Sequence, residues 1–181
     1  MFCPKCKNKS LKPTKLDDGL SAAGCLHCHG ALVSLLYYRD WAERHNGIIT
    51  EAPSTVGLLK GMQSEDSMGA VGCPKCNRLM QKYRISGCTN NRLDWCTTCD
   101  EVWLDGGEWE LIKALELGQE IPMVLTEQWQ KKVRAQVSEE NRRERFAKIL
   151  TAADLQKADE FRDWLKDHAQ KEDILFYVNH Q

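Results

Sequence analysis

Four Cys-x-x-Cys pairs constrain this chain more than any other feature: Cys3/Cys6, Cys25/Cys28, Cys73/Cys76 and Cys96/Cys99. They fall into two sets, with 18 residues between the first two pairs and 19 between the last two. Gaps of that size leave room for a hairpin that carries the second pair back to the first. Each pair presents two thiolates on one side of a tight turn, the spacing of two corners of a Zn–S tetrahedron with bonds of ~2.3 Å. Cys3, Cys6, Cys25 and Cys28 are therefore expected to hold one Zn2+, and Cys73, Cys76, Cys96 and Cys99 a second. Spacing alone does not separate zinc from ferrous iron in such a site. Closed four-sulfur coordination leaves no open position for water or substrate, which argues against metal catalysis.

Other uses of paired cysteines fit less well. A disulfide scaffold suits a secreted chain, and the opening Met1-Phe2-Cys3-Pro4-Lys5-Cys6-Lys7 does not read as a signal peptide. A thioredoxin-like redox motif uses one pair opening a helix, not four at matched spacing. A cytoplasmic location follows as the expectation, with no membrane partner, because the longest apolar stretches run only a few residues.

The two sets form a repeat. A shift of 70 positions lays Cys3-Pro4-Lys5-Cys6 on Cys73-Pro74-Lys75-Cys76, and the second pairs then differ by one residue. In the second copy, Met80 to Ser86 alternates as a strand with Tyr83 and Ile85 on one face. Arg92 to Trp95 returns with Leu93 and Trp95 together, across a turn at 87–91. The first copy alternates less clearly, with Asp17-Asp18-Gly19 marking its turn.

The run Cys73-Pro74-Lys75-Cys76, Leu79, then Cys96 through Cys99 followed by Asp100-Glu101-Val102-Trp103-Leu104-Asp105-Gly106-Gly107-Glu108 resembles the bacterial transcription-factor-IIB-type zinc-ribbon family. The signature of that family is a Cys-Pro-x-Cys knuckle, then Cys-x-x-Cys with Gly-x-Trp-Leu-Asp-x-Gly-Glu. Glu101 stands where the family usually carries glycine. Residues 3–30 resemble a degenerate second copy, which keeps His29-Gly30 after the knuckle but lacks Trp-Leu-Asp-x-Gly-Glu. The resemblance implies zinc binding, and the family name points toward transcription.

Trp103, Asp105 and Glu108 are read as structural support rather than catalysis. Trp103 can cap a hairpin that has little apolar surface of its own. Asp105 is the expected N-cap of a helix from about Gly107 to Leu117, with Glu108 and Glu110 in its first turn and Trp109, Ile112 and Leu115 as its buried stripe. Cys88 is left over, in a turn, as a free thiol. His27 and His29 flank Cys28 but are not needed as ligands. With no Ser/His/Asp set, phosphate-cradling loop or His-Glu-x-x-His helix, the chain is not expected to be an enzyme.

The rest divides by composition. Residues 31–46 suggest a short helix beside the first ribbon, and 49–72, with Pro53, Gly57, Gly61, Gly69 and Gly72, a linker. Beyond Pro122 there is no cysteine, glycine or further proline. Thr126 can cap a long helix to about Leu150, breaking or lying exposed near Ser138, and Thr151 a second from about Ala153 to Ala169. Ile174 to Val178 suggests a final turn or short helix. The expected organisation is α+β: a first zinc ribbon with a helix (1–48), a linker (49–72), a second ribbon with a helix (73–120) and a helical region (121–181).

Charge narrows the partners. The 181 residues carry 25 basic and 26 acidic side chains, with no uniformly basic surface for coating nucleic acid. Residues 1–30 hold five lysines against two acids; residues 71–110 hold five basic groups against six acidic. A four-thiolate zinc centre lowers each by about two charges. A protein partner is expected, with a homodimer through the C-terminal helices as one form. Nucleic acid or RNA polymerase bound through the first ribbon is the alternative, and a thiol-redox or zinc-sensing role the third.

Overall fold

The computed structural model describes residues 1–45, 66, 67 and 69–180. Each repeat builds three strands around its cysteine pairs. In the first, β1 (Lys12–Asp17) and β2 (Leu20–Gly24) pair across a turn that Gly19 makes tight with a φ of 75°, and β3 (Ala31–Ser34) follows the second pair. In the second, β4 (Gln81–Arg84), β5 (Arg92–Cys96) and β6 (Glu101–Leu104) do the same. β3 then pairs antiparallel with β6, so all six strands form one sheet in the order β1-β2-β3-β6-β5-β4.

That order is a palindrome of the two repeats, and the register makes the symmetry local. Counted from Cys25 and Cys96, Leu32 corresponds to Trp103, Ala31 to Val102 and Val33 to Leu104. The paired residues are Leu32 with Trp103, Ala31 with Leu104, and Val33 with Val102. Equivalent positions meet reciprocally, as in the isologous interface of a two-fold dimer, but here within one chain. The linker expected over 49–72 lies largely outside the described residues.

The sheet is covered on one face by α1 (Leu35–His45), α2 (Glu108–Ala114) and α3 (Ile121–Val124), which bury Tyr38, Trp41, Trp109, Ile112, Ile121 and Val124 over Val33, Leu93, Val102 and Leu104. Tyr38 ties this layer together: its hydroxyl donates to the Gly118 carbonyl at 2.8 Å and accepts from the Ile121 amide. The other face carries Leu32, Met80 and Trp103 with cysteines of both sets. All four residues of β6 are buried, which explains why Glu101 to Leu104 does not alternate in hydropathy.

Several expectations need correction. Residues 31–34 are strand, and only 35–45 are helix, because β3 finds β6 as a partner. The helix after the second set is shorter than expected, Glu108–Ala114, and Asp105 does not cap it. Gly107 holds the N-cap position in the left-handed region, while Asp105 accepts from Trp103 Nε1 and from the Ser67 amide. Glu108, the first residue of the helix, reaches back to accept from the Asp105 amide at 2.8 Å.

The chain divides into two compact units, Met1–Ala135 and Gln136–Gln181. Helix α4 (Glu127–Ala147) starts in the first, where Thr126 Oγ1 accepts from the Trp129 amide and Gln130 bonds both backbone groups of Arg84. It runs unbroken through the polar stretch around Ser138, whose side chains are mostly exposed. In the second unit, Thr151 caps α5 (Ala152–Lys166) by accepting from the Asp154 amide. Arg162 and Arg142 both pair with Glu139, and Arg143 pairs with Asp159. A last helix, α6 (Lys171–Asn179), spans the segment expected to form a final turn or short helix.

Candidate metal centres

All four Cys-x-x-Cys segments fold alike. The residue after each second cysteine takes a left-handed conformation: Lys7 at φ 56°, His29 at 57°, Asn77 at 59° and Asp100 at 55°. No glycine occupies any of these positions; His29, Asn77 and Asp100 are of the non-glycine types most often found there, and the turn imposes the same conformation on Lys7. In three of them the amide of that residue donates to the carbonyl of the first cysteine: Lys7 to Cys3, His29 to Cys25 and Asn77 to Cys73. The first cysteine's own amide is tied as well, from Cys3 to the Lys9 carbonyl, Cys25 to Gly30 and Cys73 to Arg78. Those three turns therefore close on themselves through backbone hydrogen bonds.

The sulfurs meet in two sets, Cys3/Cys6/Cys25/Cys28 and Cys73/Cys76/Cys96/Cys99, with all Sγ atoms of a set within 4.8 Å of one another. Cys3 and Cys28 lie 3.5 Å apart and Cys76 and Cys96 3.6 Å. A tetrahedron with metal–sulfur bonds of ~2.3 Å has edges of roughly 3.8 Å, so the donors fit a four-coordinate ion. A disulfide needs about 2.05 Å, and all nine cysteines are free.

The thiols of each set can all ionise together only around a cation. Backbone amides hold one thiol of each set down to about 7: for Cys76 the main cause is the Arg78 amide, and for Cys25 burial, the largest single influence, is outweighed by the amides of Cys28 and His27. Others go the opposite way. Burial pushes Cys28 up to about 11, and the Cys76 sulfur together with burial pushes Cys99 up to about 12. Four thiolates this close cannot all ionise unless a positive ion replaces their protons. Both sets can hold a metal ion on this basis.

No family model, curated protein sequence or solved structure matches the chain.

The remaining residues singled out in the sequence fall as follows. Trp103 is fully buried, and its ring reaches beyond its own hairpin, since a Cβ on Gly30 would lie 2.3 Å from its Cζ2. His27 Nδ1 is 3.4 Å from the Cys6 sulfur, at the exposed edge of the first set. Cys88 is exposed, outside both sets. Cys88→Ser is expected to leave the metal content unchanged; loss of one metal ion on elemental analysis would overturn the ligand assignment.

Asp66, Asp105 and Glu108 form a third group of close ligand-type side chains. Four N–H donors already occupy the Asp105 and Glu108 oxygens, from Trp103, Ser67, Asp105 and Asn91. Burial, and then the neighbouring Asp105 and Asp66 carboxylates, push Glu108 from its ordinary 4.5 up to about 8. The folded chain therefore keeps a proton there that the unfolded chain releases. Its contribution is fully present below about pH 4.5 and is lost as pH rises to about 8. The slope is at most ~1.4 kcal/mol per pH unit. Urea unfolding at pH 6 and pH 8 should show this loss in the native chain and a flatter dependence in Glu108→Gln.

Sequence reasoning missed Gly30 and Gly106, whose missing side chains let the two repeats approach, and the buried Asp94–Lys82 pair at 2.9 Å. The retained His29-Gly30 in the degenerate copy is the one available signal. It marks a close backbone approach, but not to what.

Proposed function

We propose that this chain is a non-enzymatic, zinc-binding protein-interaction module in which two structural Zn2+ ions, held by Cys3/Cys6/Cys25/Cys28 and by Cys73/Cys76/Cys96/Cys99, secure the sheet face opposite the helix-covered core. The observation that carries this reading is the fourfold repetition of one cysteine turn, with a left-handed residue after each second cysteine, converging on two all-cysteine sets. All-sulfur, four-coordinate ligation is the donor set of structural zinc, and it leaves no position for a reacting water. The pairing of hairpins and cysteine turns supports a zinc-ribbon pair of the transcription-factor-IIB type, joined edge to edge through β3 and β6.

Its surface supports the interaction role. The second unit leaves Ile149, in the turn between α4 and α5, and Trp164, Phe176, Tyr177 and Val178 on its helices each more than half exposed, which is an unusual density of large apolar groups for so short a segment. Among the described residues no helix is long and apolar enough to cross a membrane. We place the protein in the cytoplasm, where reduced thiols remain available to metal. Elemental analysis of the purified chain is the test. Two zinc per chain is the expected result; iron in their place, or fewer than two metal ions, would overturn this reading.

A further inference from the structure

The two metal centres do not have equivalent surroundings. The local two-fold axis places the strand after each second cysteine pair against its counterpart, yet only the second repeat carries Trp-Leu-Asp-Gly there. At the positions of Trp103, Asp105 and Gly106 the first repeat has Leu32, Ser34 and Leu35.

The second repeat's segment is turned toward the first centre. Gly30, two residues beyond Cys28, lies so close to Trp103 that a Cβ there would sit 2.3 Å from the ring. A Cβ on Gly106 would sit 2.6 Å from the carbonyl oxygen of Cys28 itself. Asp105, which holds the Trp103 indole by a 3.0 Å hydrogen bond, also faces Lys5 Nζ at 3.9 Å, inside the Cys3-Pro4-Lys5-Cys6 turn. Both cysteine turns of the first centre are thus braced by one buried segment of the other repeat.

The return contribution is smaller. The first repeat gives the second centre the Leu35 amide, on the Asp100 carbonyl at 2.9 Å, and an exposed Arg39–Asp100 pair. Leu32 of the first repeat joins Val71, Met80, Cys73 and Cys96 in one buried cluster, and within the second repeat Lys75 pairs with Glu101. Exposed ion pairs contribute little, whereas buried groups that hold ligand-bearing backbone in place contribute strongly to metal retention.

We infer that Trp103, Asp105 and Gly106 of the second repeat are positioning residues of the first metal centre, so that the first centre holds its metal tightly only when the second repeat is folded. The second centre holds its metal without the first. This rests on the zinc-binding reading above, and the wild-type titration tests that reading separately.

The experiment is a Co2+ titration of the full chain, read by the thiolate-to-cobalt charge-transfer band and repeated with zinc competition. The wild-type chain should take up two ions; uptake of none refutes metal binding itself, and with it the inference. Cys3→Ser/Cys25→Ser should bind one ion within about threefold of the wild-type second site. Cys73→Ser/Cys96→Ser should bind its one remaining ion at least tenfold more weakly than the wild-type first site, as expected when groups that orient ligands are lost. Equal retention in the two double variants would overturn the inference.

Gly106→Ala guards against simple misfolding, because it leaves all eight ligands in place and adds one methyl against the Cys28 carbonyl. It should weaken the first site about tenfold and spare the second. An equal loss at both sites, or at neither, would overturn the assignment.

Discussion

Stripping the metal from the native chain with a chelator is expected to unfold the six-stranded sheet of the first unit. Structural zinc contributes about 10–16 kcal/mol of apparent binding free energy per site in small zinc-dependent domains. A domain's whole stability is about 5–15 kcal/mol, so loss of both ions together exceeds it. The strands are short, four to six residues each, and the face bearing Trp103 is largely made of cysteine turns. Without metal, that face becomes two sets of mutually repelling or protonated thiols. Near-UV circular dichroism and amide dispersion should collapse on chelation and return with zinc. A metal-free chain that kept its dispersed amide spectrum would refute the structural role.

The second large effect is expected at Trp103. Trp103→Ala removes a fully buried ring that packs with Leu32, Gly30 and cysteines of both centres, at a cost of ~3–5 kcal/mol. It also leaves Asp105 Oδ1 without the indole donor it now uses. Gly30→Ala should cost ~1–3 kcal/mol on its own, because the new methyl meets the ring. In Trp103→Leu the ring is gone, and Gly30→Ala should then cost much less. Strong non-additivity in that double-mutant cycle, measured by urea unfolding of the zinc-loaded protein, is the signature of direct contact. Additive costs would mean that Gly30 and Trp103 do not meet.

Much of the site is legible in the linear order of residues, because a metal site is a local pattern. A Cys-x-x-Cys turn fixes its own geometry over a few residues, and two such turns at hairpin spacing have few ways to arrange four sulfurs. The Thr151 cap and the start of α4 after Thr126 are readable for the same reason: capping depends on side chains within one turn. Asp105 misleads because an aspartate before a helix suits an N-cap, and nothing local reveals that Trp103 and Ser67 have already claimed its oxygens. Residues 31–34 mislead for a related reason. A strand buried on both faces does not alternate, so Ala31-Leu32-Val33 carries no period-two signal.

The eight cysteines of the two candidate centres, their division into two sets and the duplication of the repeat are readable from residue order alone. Those follow from covalent spacing and from tetrahedral coordination. That the two repeats share one sheet, with Leu32 against Trp103 on a local two-fold axis, emerges only in three dimensions. That pairing joins residues about 70 positions apart and is selected by backbone hydrogen bonds and side-chain fit, which no short motif records. Gly30 and Gly106 matter for what they lack, and the absence of a side chain acquires meaning only when a ring or a carbonyl is found in its place.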